Sequence, residues 1–127
     1  MTAQAPVMVL VTMQRMCARL IRSGAEMAMK KGCPLKVVHV AARRGGEPAD
    51  TAIDAQTLDY LYALAGEVGA EMCVLSTEVP VVAMADYAQE HGVKQIVMGN
   101  GEYAHGIAET LSGLLPGVQV VIMESEG

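Results

Sequence analysis

The sequence predicts an α/β fold of three layers, a five-stranded parallel sheet with helices packed on both faces, and three observations predict it. Five short runs of aliphatic and β-branched residues are spread along the 127 residues. Amphipathic stretches at helical spacing lie between them, and glycine, proline or polar clusters mark most of the junctions. The resulting order, βαβαβαβαβ, is that of parallel strands joined by right-handed helical crossovers. A chain of this length is expected to form one domain, residues 1–127.

The first strand is Pro6 to Thr12 (PVMVLVT), a continuous apolar run of the kind that is covered on both faces. From Arg15 to Lys31, Met16, Cys17, Leu20, Ile21, Gly24, Met27 and Ala28 recur at helical spacing, and Gly32 and Pro34 stop that helix. Leu35 to Val40 (LKVVHV) is the second strand, and AARRGGEPAD after it reads as a surface loop. Thr51 with Asp54 forms a capping-box pattern before a second helix, whose buried stripe is Leu58, Leu61, Tyr62, Ala65 and Val68. Glu71 to Thr77 is the third strand, and Pro80 opens a third helix that runs to about His91 and stops at Gly92. Gln95 to Met98 is the fourth strand. A short helix carrying Ile107, Leu111, Leu114 and Leu115 leads through Pro116 and Gly117 to the fifth, Val118 to Met123.

Composition narrows the function. Hydrophobic residues are 52% of the chain and charged residues 18%, far from the composition of disorder. A net charge of −5 offers no electrostatic footprint for nucleic acid or an anionic membrane, so neither is an expected partner. No apolar run approaches the roughly 20 residues of a spanning helix, and the opening MTAQAP lacks the basic start of a signal peptide, so the expected location is the cytoplasm. Cys17, Cys33 and Cys73 form neither a CxxC pair nor a cluster with metal spacing and are read as reduced thiols. Phe and Trp are absent and Met occurs ten times, so thioethers and aliphatic groups fill the core.

In parallel α/β sheets ligands bind beyond the carboxyl ends of the strands, where the winding reverses. With strand order 3-2-1-4-5 that point lies between the first and fourth strands, beside Thr12-Met13-Gln14 and Gly99-Asn100-Gly101. The loop GNGEYAHG follows a strand and opens a helix, so its amides can face an anion while its glycines permit close approach. Its spacing is neither GxGxxG nor a P-loop, and an ordinary glycine-rich turn reads the same way. Thr12 and Gln14 offer a hydroxyl and an amide to a ribose, base or phosphate. His39 can touch a base or be a hydrogen-bonded strand-end histidine, and His105 can assist an anion or face solvent. Cys17, in the first turn of a helix, is the candidate reactive thiol of a redox sensor, or a buried inert one. Arg43 and Arg44 can reach a phosphate or stay solvated. Asp54, Asp59 and Asp86 have no basic partner in the pattern, so no catalytic dyad and no enzyme activity are expected.

Taken in order, VMVLVT, RLIRSGAEMAMKKG, LKVVHV, GAEMCVLSTEVPVVAMADYAQEHGVKQIVMG and LPGVQVVIM resemble a universal stress protein over nearly the whole chain. The nearest look is to the universal-stress-like module of potassium-sensor histidine kinases. The resemblance implies a Rossmann-like fold of the adenine nucleotide alpha hydrolase kind, with sheet order 3-2-1-4-5. It also implies a homodimer joined partly through the last strand, and an adenine nucleotide, ATP or AMP, in the crevice. Thr12, Gln14, Gly99, Asn100 and Gly101 would wall that site, with His39 and His105 nearby. Nucleotide-binding members usually carry an Asp after the first strand, where this chain has Thr12-Met13-Gln14. Their loop after the fourth strand reads G-x2-G-x9-G-[ST]; here Gly99 begins it, Glu102 replaces its second Gly, and the segment to Pro116 is shorter. Sensor modules that take cyclic di-AMP use Ser-x-Ser after the first strand, which Thr12-Met13-Gln14 lacks, leaving Tyr60 and Tyr62 as the nearest aromatics. A dimeric interaction module that docks a signalling protein without any ligand is the alternative reading.

Overall fold

The computed structural model describes residues 5–11, 17–44, 47–48, 55–99 and 104–123. In chain order the elements are β1 (Val7–Leu10), α1 (Cys17–Lys31), β2 (Leu35–Arg44), β3 (Glu47–Pro48), α2 (Ala55–Glu67), β4 (Glu71–Thr77), α3 (Pro80–Glu90), β5 (Gln95–Gly99), α4 (Ala104–Leu114) and β6 (Gln119–Met123). Five strands pair in parallel in the order β4-β2-β1-β5-β6, which is 3-2-1-4-5 when the long strands are counted along the chain. The short β3 pairs antiparallel with the end of β2.

β1 lies at the centre and all four of its residues are buried, which is why its sequence is apolar without alternation. Val7, Val9 and Val11 face one core layer together with Leu20 and Ile21 of α1 and Leu61 of α2. Met8 and Leu10 face the other, with Met84 and Tyr87 of α3 and Leu111 of α4. The edge strands β4 and β6 hold no fully buried residue. Helix ends follow the expected chemistry. Gly32 and Gly92 take φ of +67°, the left-handed conformation that ends a helix at glycine. After the first of them the Cys33 N–H donates to the Ala28 carbonyl at 2.8 Å.

Two expectations are corrected. AARRGGEPAD is not all loop: β2 continues through Arg44 because β4 runs alongside it to pair Ala41 with Ser76 and Ala42 with Thr77, and β3 then takes up Arg43 and Arg44. Two alanines and two arginines carry no strand signal of their own; the neighbouring backbone supplies the hydrogen bonds. Tyr62 is 50% exposed, and Leu64 takes its place in the buried stripe. At roughly 100° per residue, Leu61, Leu64, Ala65 and Val68 form one arc of α2 and Tyr62 falls outside it. Leu114 is 46% exposed, at the rim of an arc on α4 centred on Ala104, Leu111 and Leu115. The Thr51–Asp54 capping box lies outside the described residues.

Tyr87 is buried between α3 and β4, with its ring 4.1 Å from that of His91 and its hydroxyl unpartnered among the described residues. Burial first, then the Cys73 thiol and the Glu71 and Glu90 carboxylates, push its ionisation from 10.0 up to about 12. The neutral phenol is the form the fold accepts. Its contribution to stability is therefore complete below pH 10 and lost as pH rises through about 12. Ultraviolet titration should show a late tyrosinate component near that pH, absent in Tyr87→Phe, and the substitution should flatten the alkaline loss of stability. A Tyr87→Phe profile identical to the parent would overturn this assignment.

Candidate functional site

β1 and β5 are neighbours in the sheet, but the chain leaves β1 through α1 to reach β2 on the other side. The winding therefore diverges between β1 and β5, and their carboxyl ends border the gap that such a divergence opens. The register carries this further. Leu10 lies opposite both Val38 and Met98, His39 opposite Val74, and Gly99 opposite Met123. One residue beyond Leu10, Val11 comes level with His39 and Gly99, and its N–H donates to the Val38 carbonyl at 2.9 Å. Val74, His39, Val11, Gly99 and Met123 thus form one transverse row at the carboxyl end of β1. By strand alternation it belongs to the sheet face that carries α1 and α2.

Of the expected site residues, His39 and Gly99 lie level in this row, on either side of Val11. His39 does not end β2, which continues to Arg44, but it is level with the end of β1. Its side chain is 3% exposed and its Nδ1 lies 2.7 Å from the Val11 carbonyl oxygen. A carbonyl can only accept, so Nδ1 carries the hydrogen, and in the neutral ring Nε2 is left as an acceptor. Nε2 is buried and has no partner among the described residues. Gly99 closes β5 half-buried and brings no side chain to the row. His105 is the second residue of α4 and is exposed. Thr12, Gln14, Asn100 and Gly101 lie outside the described residues, as do Met13 and Glu102. Val11 was read only as part of an apolar run; its carbonyl, the group that orients His39, is invisible in side-chain patterns.

The opposite edge is different. A cavity of about 410 Å³ opens between the C-terminal ends of α1 and α2, lined by Arg22, Met29, Cys33, Leu35, Glu67 and Val68. It holds no feature of the row described above. On β4, burial and then the Glu71 carboxylate raise the Cys73 thiol above its ordinary 9.0, partly opposed by Lys36, which is paired to Glu71 at 3.1 Å. Cys73 is therefore a thiol, not a thiolate, at neutral pH. Among the described residues there is no group of three or more His, Cys, Asp or Glu able to hold a metal, and no helix long and apolar enough to cross a membrane.

A central parallel sheet with paired helices on each face and a divergence between β1 and β5 defines a Rossmann-like α/β protein. No protein-family model and no curated protein sequence matches the chain. Solved structures do. A universal stress protein from Archaeoglobus fulgidus is 24% identical, covering 94% of this chain and 93% of its own, with a TM-score of 0.70. The universal stress protein from the same organism in complex with dAMP is 25% identical, covering 95% and 98%, at 0.69. A universal stress protein in complex with cAMP is 15% identical, covering 98% and 100%, also at 0.69. The chain thus shares its fold with solved universal stress proteins over nearly its whole length.

Proposed function

We propose that this chain is a non-enzymatic, cytoplasmic binding protein of the universal stress type that holds an adenine nucleotide at the carboxyl ends of β1 and β5. The observation that carries the reading is the row at that edge, where a half-satisfied buried histidine and a glycine flank the divergence of the winding. α1 and α4 follow β1 and β5 directly, so both present their N-terminal ends to the same edge, where backbone N–H groups and the helix dipole favour a phosphate. Structural neighbours with dAMP and cAMP bound agree in ligand class. Thr12, Gln14, Asn100 and Gly101 are the further residues assigned to the wall of this site, with His105 nearby.

Isothermal titration with ATP, AMP and cyclic di-AMP tests the reading. A saturable heat is expected with ATP or AMP, and a weaker one or none with cyclic di-AMP, for which the sequence lacks the serines. The absence of heat with all three would remove the nucleotide claim.

The second reading is a ligand-free dimeric module for a signalling partner, and it is favoured by the shortened segment after Gly99 with Glu102 in place of a glycine. β6 is an edge strand with half-buried side chains, suited to pairing with a second copy. Native mass spectrometry distinguishes the two readings, since a dimer without retained small molecule supports the second and a nucleotide-loaded species the first.

A further inference from the structure

Resting on the nucleotide reading, we infer that His39 recognises the nucleoside part of the ligand, its Nε2 accepting a hydrogen bond from a ribose hydroxyl or an exocyclic amine and not facing the phosphate. The orientation of the ring carries this. Nδ1 is committed as donor to the Val11 carbonyl at 2.7 Å, which draws the imidazole from β2 over the end of β1. In the neutral ring Nε2 then keeps a lone pair, and a lone pair repels a phosphate oxygen but attracts an O–H or N–H. The residue is 3% exposed and Nε2 has no partner among the described residues. Buried acceptors are rarely left in that state, because the lost hydration is not recovered until a donor arrives. The next strand of the row offers Gly99, which adds no side chain to compete for the space.

The same geometry selects the substitution that tests it. In His39→Asn the side-chain amide can still donate to the Val11 carbonyl, as Nδ1 does, while the acceptor at the Nε2 position is gone. AMP should bind His39→Asn roughly tenfold more weakly than the parent, with circular dichroism unchanged. The source of the donor is read from the parent protein with 2′-deoxy-AMP, 3′-deoxy-AMP and purine riboside 5′-monophosphate. One of the three should lose a similar factor, and His39→Asn should bind that analogue and AMP alike. ¹⁵N spectra of the imidazole add a readout that a purely structural role would not move: the unprotonated Nε2 resonance should shift upfield when AMP binds. If His39→Asn binds AMP like the parent, or all three analogues bind the parent like AMP, the inference fails while the nucleotide site stands. If the parent binds no nucleotide, both fail together. Should His39→Asn not fold, the analogue series and the ¹⁵N shift in the parent still decide the question.

Discussion

Gly24→Val is expected to lower the unfolding free energy by about 3 kcal/mol, a large part of the roughly 5–15 kcal/mol typical of a domain. Gly24 sits in the middle of α1 at the point where the helix crosses β1, and a Cβ built there would collide with Cγ2 of Val9. Val9 is fully buried and β-branched, so it cannot swing aside in the way a long flexible side chain can. Glycine in a helix interior ordinarily costs up to about 1 kcal/mol against alanine, so the position tolerates a weaker helix for a closer approach to the sheet. Any side chain must push α1 off β1 and loosen the contacts that Leu20 and Ile21 make in the same layer. Urea unfolding of Gly24→Val, Gly24→Ala, Val9→Ala and the Gly24→Ala/Val9→Ala pair checks this. Smaller loss in the double variant than the sum of the singles is the expected sign of direct contact. Additive losses would show that the crowding is not between these two residues.

Leu111→Ala is expected to cost about 2–5 kcal/mol, whereas Leu114→Ala, three residues on in the same helix, should cost under about 0.5 kcal/mol. Leu111 is 0% exposed and packs in the layer that also holds Met98, Ile96 and Tyr87, so truncation removes buried methyl groups and leaves a void that neighbouring strands cannot collapse to fill. Leu114 is 46% exposed at the last residue of α4, and much of its side chain already meets water. Thermal or denaturant unfolding of the two variants measures the contrast. Equal losses would mean that Leu114 is covered in solution, which would point to a second copy packed over α4 and β6.

Much of this molecule was legible before its structure. The apolar run VMVLV marks the central strand because a strand covered on both faces has no polar side to show. EMCVLST, with Pro80 shortly after, places β4 and the start of α3 at their observed residues, since β-branched and apolar residues in a short run and a first-turn proline each act through local backbone preferences. Gly32 and Gly92 end α1 and α3 for a similarly local reason. The sheet order followed from the alternation of elements together with family resemblance, and it was met.

What local pattern could not reveal was decided by packing between distant segments. β2 extends past Val40 because β4, some thirty-five residues away, pairs with it as far as Ala42, and β3 then holds Arg43 and Arg44. Tyr62 and Leu114 are apolar enough for a stripe but lie off the arcs that meet the sheet, and an arc is chosen by where the sheet is. At the site, sequence placed Gly99 and His39 near one crevice through topology. The role of His39 comes from a tertiary hydrogen bond, the Val11 carbonyl 28 positions earlier in the chain, which settles which nitrogen donates and which one stays free. Residue types and spacing set the elements of this protein and their order, because those depend on local propensity and periodicity. The state of the buried His39 side chain depends on which backbone lies beside it, and only the folded arrangement supplies that neighbour.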